Sequence, residues 1–465
     1  MTALPLAGPS SPLRSKKAET RRVINWIPVQ IDSGTGKGGA VAYLKQAPGL
    51  RLLATLGGAV QGCFFTAGRF FVVAGQRLLE VKADWSTVDR GAVGYGRFVL
   101  TANNTQLLAS NGASAWIFDL ESDTLASLTD NWRGSVSADV LDGYGVFAEP
   151  NSTQFYLTSN QDFSVLDPLD FASAEGSTGP IVSFIVKHRE LILLKEATGE
   201  VWYDAGGSDF PLARQDGAAL EVGCAAAASL CKVGGTAYWL GRDDRGSAVV
   251  FSMSAYQPQR ISSHALEEAL AGLADLSEAS AFTYHQEGLT YYSLSVPGLS
   301  STWVYEVSGG IWHERAELVN GVFVPWRAEF HCFAHGLHVI GDASGKLYEL
   351  THEANTNAGD VLARDFITPH NALPSLALRR FSAFQIDADV GEGKPDGTTA
   401  IMLLRYSDDG GKTWTNWREL SLGAVGQTLA RARTTMLGSG RDRVWHFRVT
   451  DDVMCNVLAA VVDEK

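Results

Sequence analysis

Four short stretches of the chain gather residue types that do chemistry in other settings. The first, Ser407-Asp408-Asp409-Gly410-Gly411-Lys412-Thr413-Trp414, fits an S-x-D-x-G-x-x-W pattern. In such a stretch the Asp409 carboxylate accepts backbone N–H groups, Gly411 supplies a positive φ, and Trp414 packs beneath the turn. Ser407, Asp409, Gly411 and Trp414 are therefore read as a structural hairpin turn. The second stretch, 33–39, is rich in glycine with one lysine, as in loops that cradle phosphate. The G-x-x-x-x-G-K-[ST] spacing is absent, and no helix follows to lend its N-terminal N–H groups, so a plain loop is expected.

The third stretch holds His331, Cys332, His335 and His338. On strands His331 and His335 would share a face while His338 points the other way, and no carboxylate completes a zinc spacing. Ordinary strand and turn histidines are expected, with no metal. The fourth is the loop of Asp167, Asp170 and Glu175, whose carboxylates could ligate calcium or act as an acid–base pair. The Asp167–Pro168 turn makes an extended connection the simpler reading. This loop and Arg242-Asp243-Asp244-Arg245 are candidate interface loops. Neither a G-x-S-x-G elbow nor an H-E-x-x-H helix occurs. The expectation is a protein that is not an enzyme, with no catalytic residue, no metal and no cofactor.

One enzymatic alternative stays open. The S-x-D turn is an Asp-box, a motif of sialidase-like propellers, which suggests a carbohydrate-processing or carbohydrate-binding propeller. In those enzymes the box is structural, remote from the chemistry, and usually present in several copies. Here one copy stands without a clear tyrosine–glutamate nucleophile set or arginine triad.

The elements that position these stretches are strands. The 465 residues are 45% hydrophobic and 19% charged, which excludes global disorder. The 48 glycines among 12 Trp, 13 Tyr and 21 Phe indicate tight turns between aromatic-rich strands. From Gly57 to Thr351 short apolar strands alternate with polar turns, as in Arg69–Ala74 with Leu78–Val81. Hairpin tips fall near Gly75, Asn103, Pro150, Thr198, Asp243, Pro297 and Ala343. After the first interval they recur roughly every 45–55 residues, the length of a four-stranded propeller blade. An all-β fold is expected, a β-propeller of six or seven blades over residues 41–358. One helix is expected within it, capped by Ser263 with Leu266, Leu270 and Leu273 on one face. Residues 1–40 read as an extended N-terminal arm with an anchoring strand near Val23–Val29. Residues 359–465 read as a small C-terminal β-sandwich-like unit, the alternative being strands that close the ring.

The formal net charge of −13 argues against overall attraction to nucleic acid or an anionic membrane. No apolar run approaches the roughly 20 residues that cross a bilayer, and Met1 to Arg22 lacks the apolar core of a secretory signal. The five cysteines, Cys63, Cys224, Cys231, Cys332 and Cys455, are scattered and odd in number. That fits a reducing cytoplasm better than a disulfide framework. Against the acidic background, Arg14, Lys16, Lys17, Arg21 and Arg22 form a basic cluster.

Several segments resemble the packaged-DNA stabilisation proteins (tail hub or nozzle) of short-tailed, podovirus-like bacteriophages. They include Tyr43-Leu44-Lys45-Gln46-Ala47-Pro48-Gly49-Leu50, Leu169-Asp170-Phe171-Ala172-Ser173-Ala174-Glu175, and His188-Arg189-Glu190-Leu191. Gly206-Gly207-Ser208-Asp209-Phe210-Pro211, Trp239-Leu240-Gly241-Arg242 and Ile311-Trp312-His313-Glu314-Arg315 follow in the same order. The resemblance covers about 43–350. It implies a virion tail protein made in the host bacterial cytoplasm. It further implies a homohexamer ring below the portal and its adaptor, touching a tail fibre or tailspike and a plug or needle. Genomic DNA would pass its lumen without specific binding, and no membrane would be involved. The basic cluster is then a candidate adaptor contact.

Overall fold

Period-two alternation of apolar residues carries the chain into strands almost from end to end. The computed structural model describes residues 2–30, 42–207, 209–243, 245–370 and 377–464. Within them the one α-helix is His264–Leu270, and Ser263 caps it by accepting the Leu266 N–H at 3.3 Å.

Antiparallel sheets of four or more strands begin with Val60–Thr66, Val99–Ala102, Ala138–Leu141, Ile181–Lys187, Cys231–Val233, Ser280–Gln286 and Phe330–Ala334, the fifth also carrying Gly223–Cys224 beside the same neighbour as Cys231–Val233. These first strands neighbour one another in order, and Phe330–Ala334 returns to lie against Val60–Thr66, which closes a ring of seven sheets among the described residues. Each sheet is apolar on both faces and buries them against its neighbours. Phe71 and Val73 of the first sheet meet Leu107 and Phe118 of the second, and Trp202 and Leu212 of the fourth meet Phe155 and Leu157 of the third. A fully buried Phe or Leu contributes about 1.5–3 kcal/mol, so the interfaces between sheets carry the propeller.

Six of the seven tips expected from the sequence are the same turn, that between the second and third strands of a blade. Asn103 is the exception. It joins the first two strands of the second blade, Val99–Ala102 and Gln106–Ser110, and the equivalent turn there is 111–114. Asn103 bonds its own loop like a tip residue, since its side chain accepts from the Thr105 and Gln106 N–H groups.

The ring closes with a strand from before it. Gly49–Thr55 pairs with Lys346–Thr351 as the outer strand of the last blade. The C-terminal strand Val457–Glu464 lies elsewhere, in a β-sandwich. One sheet of that sandwich runs Trp26–Gln30, Ala42–Gln46, Val457–Glu464, Arg379–Ala388, Ala432–Thr435; the other runs Arg22–Ile24, Arg364–Ile367, Val444–Val449, Ala400–Ser407, Arg418–Gly423. Trp26, Phe366, Phe384, Trp445 and Phe447 fill the space between. The N-terminal segment is extended, yet it is not free: it supplies strands to both sheets. Arg22–Ile24 also runs parallel to Ile311–Val319 of the sixth blade, so one continuous sheet joins propeller and sandwich.

Candidate functional site

The basic N-terminal cluster divides into two parts. Arg22 is spent inside the molecule, with its guanidinium on Glu314, a carboxylate in the strand that links propeller to sandwich. Glu314 also accepts from the Ser10 and Ser301 hydroxyls, and Ser10 in turn accepts the Val23 N–H at 3.2 Å. Arg21 packs against Gly8, and burial lowers its pKa. Arg14 offers its backbone N–H to Glu268 at 2.9 Å. Lys16 and Lys17 sit exposed at the tip of the loop. The tip rests on the sandwich. His370 joins the Lys16 carbonyl to Asp442 (2.7 Å), and Gly410 of the S-x-D turn lies against the Lys16 backbone.

That turn has the geometry its residues suggest. Asp409 accepts the Lys412 and Thr413 N–H groups at 2.9 Å and the Thr413 hydroxyl at 2.6 Å, while Ser407 donates to it at 2.7 Å. These donors, led by Thr413, hold its carboxyl well below the usual range. Gly410 and Gly411 have φ of 75° and 81°, and a Cβ on Gly411 would meet the Trp414 ring at 3.2 Å. Every oxygen of Asp409 faces its own turn, so none is directed at a substrate.

Beneath Trp414 runs a chain that sequence reasoning missed. Arg405 lies between Trp414 and Trp417, 4.8 and 4.2 Å from the ring centres. Its Nε donates to His446 Nδ1 at 2.9 Å, so Nε2 carries the His446 proton and donates to buried Asp365. Arg448 completes the ion pair, and Asp365 titrates at about 2 despite its burial, because His446 and Arg448 stabilise its charge. A histidine–carboxylate pair of this kind activates a nucleophile when one is within reach. Here Nδ1 is occupied by Arg405, and the chain locks the outer face of a sheet. Arg405, His446 and Asp365 lie 40 and more residues apart in sequence, with no local pattern to betray them.

The histidines near 335 are arranged differently from the expectation. His331 Nε2 meets His338 Nδ1 at 3.0 Å, while His335 occupies the hairpin turn with φ of 51° and reaches the Val81 carbonyl at 3.0 Å. Pairing of His331 with Ile340 across the hairpin puts position 338 on the His331 side. No group of three metal-ligating side chains occurs among the described residues.

The carboxylate loop is braced. Asp167 accepts the Leu169 N–H at 2.9 Å, Arg133 donates to the Pro168 carbonyl at 2.7 Å, and buried Lys195 donates to the carbonyls of Ala174 and Ser177. Burial, helped by Asp167, raises the Asp170 pKa. Leu169 stands 78% exposed at its crest, and Glu175 is exposed as well. In the second loop Asp243 accepts the Arg245 and Ser247 N–H groups at 3.0 and 2.7 Å, and Arg242 donates to the Gly246 carbonyl. Asp244 and the glycine-rich stretch 33–39 lie outside the described residues.

On the propeller axis a cavity of about 610 Å³ is lined by Phe64, Arg97, Asp139, Lys232 and Phe330. Arg97 stacks on Phe330 at 4.4 Å, and Lys232 pairs with Asp139 at 3.1 Å. Charge is unevenly shared along the chain. Residues 41–358 hold 35 acidic against 19 basic side chains, whereas residues 1–40 hold 2 against 6.

A family model described as "Bacteriophage P22 Gp10, beta-propeller" matches residues 16–355, and one described as "Bacteriophage P22 Gp10, beta-sandwich" matches residues 365–464. No curated protein matches the sequence. Among solved structures, the computationally designed Ika8 protein aligns at 13% identity over 76% of this chain and 100% of its own, with a TM-score of 0.38. The extracellular domain of a putative one-component system from B. thetaiotaomicron aligns at 10% identity over 80% of this chain and 47% of its own, with a TM-score of 0.44. YCF48 from Cyanidioschyzon merolae aligns at 13% identity over 66% of this chain and 99% of its own, with a TM-score of 0.41.

Proposed function

The chain belongs to the bacteriophage P22 Gp10 family, and on that premise we propose that it is the tail hub or nozzle subunit that prolongs the portal–adaptor channel. It is a phage structural protein; six copies would form a ring in the virion tail that retains packaged DNA and lets it pass at ejection. The observation that carries this reading is the continuous sheet from the sixth blade through Arg22–Ile24 into the sandwich. It makes two domains one stiff body, as a ring under the pressure of packaged DNA requires.

The axial cavity bears on where DNA would run. About 610 Å³ is the size of a small-molecule site, far too small for a duplex, so the conduit would lie between copies. Six acidic propellers around such a lumen would repel phosphate and avoid the counterion release that makes DNA stick. Braced loops such as Asp167–Glu175 and Arg242–Arg245 would meet neighbouring copies, a fibre or tailspike, or a plug or needle. The exposed Lys16–Lys17 tip would meet the adaptor.

The test is imaging of the assembled tail at side-chain resolution. The expected result is six copies below the adaptor with acidic side chains on the channel wall. A mainly basic channel wall would defeat the electrostatic account, and absence of the chain from the particle would defeat the assignment.

A further inference from the structure

The ring of blades is closed twice at one place. Between the last blade and the first, Gly49–Thr55 supplies the outer strand, while at the inner edge Phe330–Ala334 packs against Val60–Thr66. Those two inner strands each carry a cysteine, Cys332 and Cys63, and both thiols belong to one apolar cluster with Val60, Phe70, Val72, Ala334 and Val339. Both are half-buried, so solvent-borne reagents reach them. The other three cysteines differ. Cys224 donates to the Ala226 carbonyl and Cys231 to the Ala281 carbonyl, each at 3.2 Å, and Cys455 is buried beside Arg364.

We propose that Cys63 and Cys332 form a disulfide, a modification site that fastens the first blade to the last when an oxidant of the peroxide class is supplied. Cys63 lies opposite Val72 and Cys332 opposite Val339 across their own hairpins, so both side chains enter the same apolar space between the first and last blades. In keeping with that placement, Cys332 and burial together hold the Cys63 thiol well above its usual range. The raised Cys63 pKa slows the chemistry and makes the reduced pair the resting form inside a reducing cell. The steps balance as follows. One thiol, as thiolate, attacks peroxide and becomes a sulfenic acid with loss of one water. The second thiol then displaces its hydroxyl, giving the S–S bond and a second water. Two thiol hydrogens and two electrons leave the protein, and peroxide is reduced. Under the proposed function, transfer from host cytoplasm to released particle supplies the change in redox setting; the pairing itself does not rest on that reading.

The link would span 269 residues of chain, and cross-links over long loops restrict the unfolded state most. It would join elements that meet only when the ring is complete. Opening of the propeller at its seam would then require breaking a covalent bond.

The experiment uses the purified full chain, treated with hydrogen peroxide while folded, then denatured, alkylated and mapped by mass spectrometry without reduction. The expected result is one disulfide-linked peptide pair containing Cys63 and Cys332, with Cys224 and Cys455 recovered as alkylated thiols. The oxidised chain should unfold several degrees higher than the reduced one, and a phosphine reductant should erase the difference. Cys63→Ala and Cys332→Ala should each abolish both the linked peptide and the shift. Should either variant fail to fold, the peptide map of the unaltered chain decides by itself. Recovery of both thiols free or separately over-oxidised, or linkage of either to another cysteine, would overturn the proposal. Failure of the tail assignment would appear in imaging and leave this map unchanged.

Discussion

Arg22 lays its guanidinium along both oxygens of Glu314, with Nε 3.1 and 3.0 Å away and a terminal nitrogen at 2.7 Å. The Glu314 side chain is 1% exposed and that of Arg22 25%. An ion pair with one partner so deeply buried costs most when a single member is removed, about 3–5 kcal/mol, because the remaining charge has no water to return to. Partial exposure of Arg22 points to the lower end. Arg22→Ala should therefore lower the unfolding free energy by about 3 kcal/mol, measured by urea titration. A loss below about 1 kcal/mol would mean that the two serine hydroxyls suffice for Glu314.

Asn25 sits two residues beyond the middle of the same seam and joins three parts of the chain. Its side chain donates to the carbonyls of Ala316 and Ala363, both at 2.7 Å, and accepts the Ala316 N–H at 3.2 Å. Its φ is 55°, a conformation Asn tolerates better than Ala. Asn25→Ala removes the bonds and adds backbone strain, so a loss of about 3–4 kcal/mol is expected. Asn25→Gly removes the bonds only and should cost about 1 kcal/mol less. Equal losses in the two variants would show that strain plays no part.

These two residues mark the limit of what the sequence disclosed. The blades were legible because each is local: strands of a hairpin lie within a dozen residues, and alternation plus turn chemistry reveals them. The S-x-D turn was legible for the same reason, since every bond of Asp409 falls within Ser407–Thr413. Arg22 and Glu314 are 292 residues apart, and the Arg405–His446–Asp365 chain also spans the unit. No periodicity encodes such pairs. Their only trace is the charge itself, a Glu or Asp inside an apolar strand that must find a partner somewhere. The N-terminal segment was legible only in part for a related reason: prolines and basic residues read as an extended arm with one anchoring strand near Val23–Val29, whereas its short strands Arg22–Ile24 and Trp26–Gln30 enter two sheets made by distant sequence.

Buried His313 and half-buried His331 shape the acid limb of stability. Burial, with Arg315 beside it, pushes His313 down to about 3, and burial, with His338 beside it, pushes His331 to about 3. Both are neutral in the fold, while an unfolded chain takes up their protons below about 6.5. Stability should therefore fall as pH drops from about 6.5 towards 3. Asp365 and Glu80, held at about 2 in the fold by their cationic partners, add a second loss that begins only below about 4.5. His331→Gln should flatten the profile between pH 6 and about 4 and leave the steeper fall below it. An unchanged slope in that upper window, measured by thermal unfolding, would remove His331 from the account.

Asp409 gives a contrasting case, because its bonds are confined to an exposed turn. Asp409→Ala should free the N–H groups of Lys412 and Thr413, so their hydrogen exchange accelerates and the turn becomes open to proteolysis. The global unfolding midpoint should shift little. Since Trp414 still stacks on Arg405, the sheet beneath should keep its protection. Loss of protection across Val444–Val449 would mean that the turn anchors the whole face.

The adaptor contact is best tested at Lys16 and Lys17, and the seam explains why. Removing residues 1–22 would take away Ser10 and Arg22 along with the lysines, leaving Glu314 buried without its cation. Any loss of attachment would then be confounded with a weakened fold. Lys16 and Lys17 are exposed, and the bond from His370 is to the Lys16 backbone, which a side-chain substitution preserves. Lys16→Glu with Lys17→Glu should leave the urea midpoint within about 0.5 kcal/mol of the parent. Charge at the rim of an interface acts chiefly on association rate and its salt dependence. The double variant should therefore bind isolated portal–adaptor complexes more slowly at low salt, and the difference should shrink as salt is raised. Equal association rates at low salt would show that the basic tip faces solvent in the particle, and that the adaptor is held by the acidic blades or the sandwich instead.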